Sequence, residues 1–161
     1  MKVARWRDWL ALAAFVAFCF TVAGIGGAWT STSLESWYAS LRKPAWTPPE
    51  AVFGPVWSAL YLAMAVAAWL VWRRAGFRGA ARPLALFAAQ LALNLAWTWI
   101  FFGLRRPGAA FGEVALLWAA ILATVLTFRR VSSPAAWLLV PYLLWVSYAA
   151  ALNFAIWRLN A

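Results

Sequence analysis

Five apolar runs, at residues 9–29, 51–72, 83–102, 108–128 and 134–157, limit what this chain can fold into. A bilayer core of ~30 Å takes ~20 mostly apolar residues as a helix, and each run meets that length. The runs stop at charges or turn formers: Arg73-Arg74, Arg105-Arg106-Pro107-Gly108, and Arg129-Arg130 followed by Ser132-Ser133-Pro134. The strict alternation that a membrane barrel needs is absent. The pattern predicts an all-α membrane protein, a five-helix transmembrane bundle in one domain spanning residues 1–161. Composition closes the soluble alternative, since 66% of residues are hydrophobic and 11% charged. Soluble domains carry roughly 25% charged residues. A chain this short lacks the interior to hide so much apolar surface from water.

The first run also has features of a secretory leader: Lys2, Arg5 and Arg7 precede it, and small residues cluster at 24–28. Its length and the bulky Trp29 at its far edge favour a retained span. The basic residues occupy tails and loops. Nine fall on the amino-terminal side (Lys2, Arg5, Arg7, Arg73, Arg74, Arg78, Arg82, Arg129, Arg130) and five on the other (Arg42, Lys43, Arg105, Arg106, Arg158). The positive-inside rule then predicts a cytoplasmic amino terminus and an external carboxy terminus. The net charge of +10 reports topology and implies no nucleic-acid partner.

Several chemistries are disfavoured. The chain has no His, which removes the commonest metal ligand and the usual neutral-pH base. Its one cysteine, Cys19, cannot form an intrachain disulfide. No metal site, no required cofactor and no conventional catalytic pair are expected. Both lysines lie outside the runs, and Glu113, near one helix start, is the only acid or base within a span. Pumps and ion-coupled carriers usually need such groups, so the expected ligand is apolar, flat or both.

The connection at 30–50 is too long for a turn. Thr32 and Glu35 have capping-box spacing, and Leu34, Trp37, Tyr38 and Leu41 follow as an apolar stripe on a short amphipathic helix. Pro44 ends that helix, and the strap Lys43-Pro44-Ala45-Trp46-Thr47-Pro48-Pro49 follows. From these residues, an interfacial belt helix and a lid over the bundle mouth are equally good readings.

Stripes run through the spans. Gln90, Asn94, Trp97 and Phe101 fall within about 60° of one another on one face of the third helix. Ala88, Ala92 and Ala96 form a small-residue row opposite, suited to close approach by another helix or a second subunit. The second span carries Trp57, Tyr61, Met64 and Ala68 at the same spacing. The fifth carries Trp145, Ala149 and Leu152, a large-small-large notch into which a flat ligand fits.

Together these residues resemble the TspO/MBR family (tryptophan-rich sensory protein, translocator protein or peripheral benzodiazepine receptor). The resemblance lies in Trp37-Tyr38, KPAWTPP at 43–49, VWSALYL at 56–62, the stretch 94–103 and WLLVPYLLWVSYAAALNF at 137–154. It implies a five-helix bundle, commonly a homodimer, whose first loop closes over a pocket that takes porphyrins such as protoporphyrin IX, haem, sterols and benzodiazepine-type ligands. It places Tyr38 and Pro48 in the lid, Phe53, Trp57 and Tyr61 beneath it, Asn94 and Trp97 on the third span, and Trp145, Ala149 and Leu152 on the fifth. Glu113 falls where the family often carries an acid. The family's sterol pattern is only partly met, because Phe154 stands between Leu152 and Arg158 where Tyr belongs.

The expectation is an integral membrane sensor or carrier for porphyrin-type tetrapyrroles, in a bacterial cell membrane. With no His, strong axial ligation of haem is not expected. The alternatives are light-dependent porphyrin breakdown, with Trp57 and Trp145 as photochemical partners, or transport of tetrapyrroles, lipids or sterols.

Overall fold

The computed structural model describes residues 6–161; Lys2 and Arg5 of the amino-terminal basic group lie outside them. Five long helices follow in chain order: α1 (Trp6–Ser33), α2 (Glu50–Gly79), α3 (Ala81–Thr98), α4 (Pro107–Val131) and α5 (Ser133–Asn160). A π-helical turn, Leu34–Tyr38, extends α1, and a second, Trp99–Gly103, extends α3. All five segments are long and apolar enough to cross a membrane. α2, α4 and α5 continue past their apolar runs through Arg side chains that are good helix formers and reach the headgroups. α1 instead runs on through residues 30–33, where the Thr30, Ser31 and Thr32 hydroxyls donate back to carbonyls of the preceding turn.

Helix ends follow local chemistry. Pro107 and Pro134 open α4 and α5, where a missing N–H costs nothing. Gly76 lies at φ 67° near the end of α2, a conformation that breaks the helix and that glycine adopts freely. In lipid every other backbone group must be satisfied within a helix, so the irregular backbone gathers at the ends.

The two ends of the bundle pack differently. At the end holding Asp8, the core is made of Met64, Ala65, Ala67, Ala68 and Val71 of α2, with Phe87, Phe128, Ala135 and Leu139. The Phe87 and Phe128 rings stack 6.0 Å apart. Trp69 donates its indole N–H to the Asp8 carbonyl at 2.8 Å and stacks on Trp9, while Arg73 pairs with the Asp8 carboxylate at 3.5 Å. These contacts join α1 to α2. Toward the other end the same helices separate around a cavity.

The connection after α1 departs from the sequence-based picture. The expected loop at 30–50 is helical through residue 40, so only 41–49 is irregular. No capping box forms, because no helix starts there: α1 runs on, and the Thr32 hydroxyl turns back to the Trp29 carbonyl at 2.8 Å. The apolar stripe is present but winds as a π-turn. Leu34, Trp37 and Leu41 pack with Tyr38 on Phe101 and Leu152.

Candidate functional site

A cavity of about 500 Å³ lies between the helices under this roof. Small-molecule sites typically measure ~300–1,000 Å³. Its walls carry Tyr38 and Leu34 from the roof, Phe53, Trp57 and Tyr61 from α2, Asn94, Trp97, Phe101 and Phe102 from α3 and its extension, and Trp145, Ala149 and Leu152 from α5. Three indoles from three different helices therefore share one space, as the stripes require. No wall residue supplies an imidazole, a thiolate or a thioether. Among the described residues, no group of three or more His, Cys, Asp or Glu could hold a metal.

The rings are held by specific contacts. Trp97 stacks on Phe101 at 5.5 Å and donates its N–H to Asn153 Oδ1 at 3.0 Å. Asn153 in turn donates to the Pro107 carbonyl at 2.7 Å, tying α3, α4 and α5 together beside the cavity. Trp57 packs on Tyr61 and edge-on to Tyr142, and Phe53 packs edge-on to Trp145. At the deep end, the Tyr61 hydroxyl donates to Asn94 Oδ1 at 2.6 Å, and Asn94 Nδ2 donates to the Tyr142 oxygen at 3.1 Å. Buried polar groups satisfied in this way fix a single arrangement.

The roof is tied down at several points. Ser33 donates to the Phe102 carbonyl at 2.8 Å, joining the two π-turns. Such turns recur at functional sites, because each opens the helix by one residue. Lys43 reaches back to the Tyr38 carbonyl and lies 4.4 Å from the Tyr38 ring centre. Arg42 and Asn160 exchange two hydrogen bonds at 3.0 and 2.9 Å. Tyr148 donates to the Trp46 carbonyl at 2.8 Å. The strap is thus held to α5 at two places.

The side between α1 and α2 is more open. Gly27, Ser31, Glu50, Ala51, Gly54 and Ser58 line the cavity and are exposed on the bundle surface. A Cβ added to Gly27 or Gly54 would meet nothing within 4 Å. Small side chains on both helices thus leave a lateral mouth on the lipid-facing side.

Of the ten candidate ligand-binding residues, nine line this space; Pro48 is half-buried in the strap and does not. Sequence reasoning did not single out Ala23, Gly26, Gly27 and Thr30 of α1, which form the fourth wall. For Gly26 and Gly27 the signal was the cluster of small residues at 24–28, there weighed as a leader feature; Ala23 and Thr30 lie outside it. Asn153 and Tyr142 were also passed over, because their hydrogen-bond partners lie on other helices. Gln90 shares a face with Asn94 but sits below the cavity, its amide donating to Met64 Sδ at 3.8 Å. Ala88 and Ala92 are exposed and Ala96 half-buried along the outer face of α3. Leu152 faces the cavity while Phe154 points outward against Phe111, so two positions of the sterol pattern lie on opposite sides of α5.

Comparison with known proteins agrees with this architecture. A sequence model of the TspO/MBR family matches residues 15–158. The chain is 42% identical over 155 residues to a tryptophan-rich protein TspO of Chlorobaculum tepidum, covering 94% of this chain and 96% of that one. It is 47% identical over 126 residues to translocator proteins of Ovis aries and of Homo sapiens, covering 77% of this chain and 75% of each.

Proposed function

The chain belongs to the TspO/MBR family of membrane proteins, and from that premise we propose that it binds porphyrin-type tetrapyrroles, as a sensor or carrier, between its helices under the roof. The observation that carries this reading is the convergence of Trp57, Trp97 and Trp145 on one 500 Å³ space with few polar groups. Indole faces stack on a planar macrocycle, and offset stacking is worth ~0.5–1.5 kcal/mol per ring pair beyond area burial. Ala149 leaves the notch between Trp145 and Leu152 into which the ring edge fits. Thr30, Ser31 and Glu50 near the mouth are the polar groups nearest the bundle surface that can meet peripheral substituents.

The wall supplies no imidazole, thiolate or thioether, and its two phenols, Tyr38 and Tyr61, would have to lose a proton to ligate the iron of haem strongly. Metal-free protoporphyrin IX therefore binds at least as tightly as haem. Titration of both by quenching of Trp fluorescence tests this, and a marked preference for haem would count against the reading. The nine-to-five split of basic residues supports a cytoplasmic amino terminus and a roof on the external side. The exposed Ala88–Ala92 row supports a homodimer packed through α3.

A second reading, light-driven breakdown of the bound macrocycle, has in its favour that Trp57 and Trp145 both line the cavity. Equal bleaching of porphyrin by wild type and Trp57→Phe under illumination would remove it.

A further inference from the structure

Trp97 brings a ring and an N–H donor to the cavity wall, and only the ring is left for a guest. The N–H is taken by Asn153 Oδ1 at 3.0 Å. Asn153, 1% exposed on α5, turns its own amide nitrogen to the Pro107 carbonyl at 2.7 Å. An indole N–H can only donate and a peptide carbonyl can only accept. The Asn153 amide therefore has one orientation, and it satisfies both groups at once. Asn94 and Thr98 on the same wall are engaged in the same way, with Tyr61, Tyr142 and the Asn94 carbonyl.

The seam closed by Asn153 has a definite place in the bundle. Around it α1 packs on α2, α2 on α5, α5 on α4, α4 on α3, and α3 on α1, so the α3–α4–α5 seam stands across from the mouth between α1 and α2. No residue of α4 lines the cavity, yet Pro107, its first residue, anchors this back wall. The back wall thus presents rings and polar groups that already have partners. The mouth, by contrast, carries Ser31, Glu50 and Ser58, all exposed. A polar substituent buried without a partner is costly, so a guest should enter with its apolar edge inward and its polar edge at the mouth.

We propose that Asn153 is a positioning residue that sets this preference: by holding the Trp97 N–H it leaves the back wall without a donor for the ligand, and the cavity selects planar rings whose acidic substituents lie on one edge. This rests on the porphyrin reading above. Protoporphyrin IX carries both propionates on one edge. Coproporphyrin III carries a propionate on each of its four pyrroles, so at least one must meet the back wall.

The test compares dissociation constants for these two porphyrins. Wild type should favour protoporphyrin IX by about tenfold or more, the cost of one buried polar group without a partner. Asn153→Leu, close in size, frees the Trp97 N–H, which penalises an apolar edge and bonds a carboxylate. The preference should shrink by about tenfold. In a Trp97→Phe background there is no N–H to free, and the same substitution should leave the preference unchanged. An equal loss for both porphyrins in Asn153→Leu, or the same change in both backgrounds, would mean that Asn153 only holds helices together, and overturns the inference. So does a wild type that binds both porphyrins equally.

If wild type binds neither porphyrin, that failure falls on the proposed function. In that case, or if Asn153→Leu does not fold, hydrogen exchange in wild type labelled with 15N-Trp decides whether the N–H is held. The Trp97 indole signal, identified by its loss in Trp97→Phe, should exchange far more slowly than that of Trp46, which is exposed in the strap. Equal exchange rates overturn the inference.

Discussion

Near Asp8 the space between the helices is filled by Ala65, Ala67, Ala68, Val71, Ala135 and Ala136, all buried, with Phe87 stacked on Phe128. Under the roof, large rings stand around open space instead: Trp57, Trp97 and Trp145 face it, with Gly26 and Gly27 as the wall of α1. Small side chains let the helices approach closely where the bundle is solid, and under the roof Gly26 and Gly27 put no side chain into the space. The aromatic side chains therefore divide: Trp57, Trp97 and Trp145 line the open space with five other rings, Phe87 and Phe128 fill the solid end, and Trp6, Trp9, Trp46, Trp99, Trp118 and Trp137 are exposed on the bundle surface.

That contrast can be broken at either end. In Phe128→Ala the loss of transfer energy counts for little, because lipid is as apolar as the core. The cavity left behind still costs about 2 kcal/mol at ~24 cal/mol per Å³ of void. The thermal midpoint in detergent should drop by several degrees with porphyrin affinity little changed, while Phe53→Ala on the cavity wall should do the reverse. Next in size, Ala149→Leu fills the notch on α5. Porphyrin affinity should fall by tenfold or more, ~1.4 kcal/mol or above, with the unfolding temperature unchanged.

The roof gives a smaller effect. Asn160→Ala removes both hydrogen bonds to Arg42, a loss of about 1 kcal/mol. Stopped-flow quenching should show dissociation several-fold faster, and an unchanged rate would mean that the strap does not hold the ligand in. Smallest is Arg105→Gly. Arg105 sits at φ 56° between the second π-turn and α4, a conformation that costs a non-glycine residue ~1–2 kcal/mol. Glycine relieves that strain but adds freedom to the unfolded chain, leaving a net gain of about 0.5 kcal/mol and a slightly raised midpoint.

The two ends were not equally legible in the sequence. Five spans follow from apolar runs long enough to cross a bilayer, and the inward faces of α2, α3 and α5 follow from rings recurring every three or four residues. What stayed hidden was signalled by small or solitary residues. Ala23, Gly26, Gly27 and Thr30 shape the cavity by what they lack, and smallness carries no periodic signal among so many alanines. Asn153 and Tyr142 sit singly in apolar surroundings, and their roles depend on Trp97, Pro107 and Asn94 arriving from other helices. Both π-turns are invisible to a 3.6-residue period. Thr32 and Glu35 matched a cap motif that needs a helix start, and α1 simply runs through them.

Induced circular dichroism tests most directly whether the indole-lined space is where a planar macrocycle sits. Protoporphyrin is achiral and gives no such signal in detergent alone. Held among Trp57, Trp97 and Trp145 it should acquire a Soret signal saturating at one porphyrin per chain, and Ala149→Leu should abolish it. No induced signal in wild type, or one that Ala149→Leu leaves intact, would contradict the account.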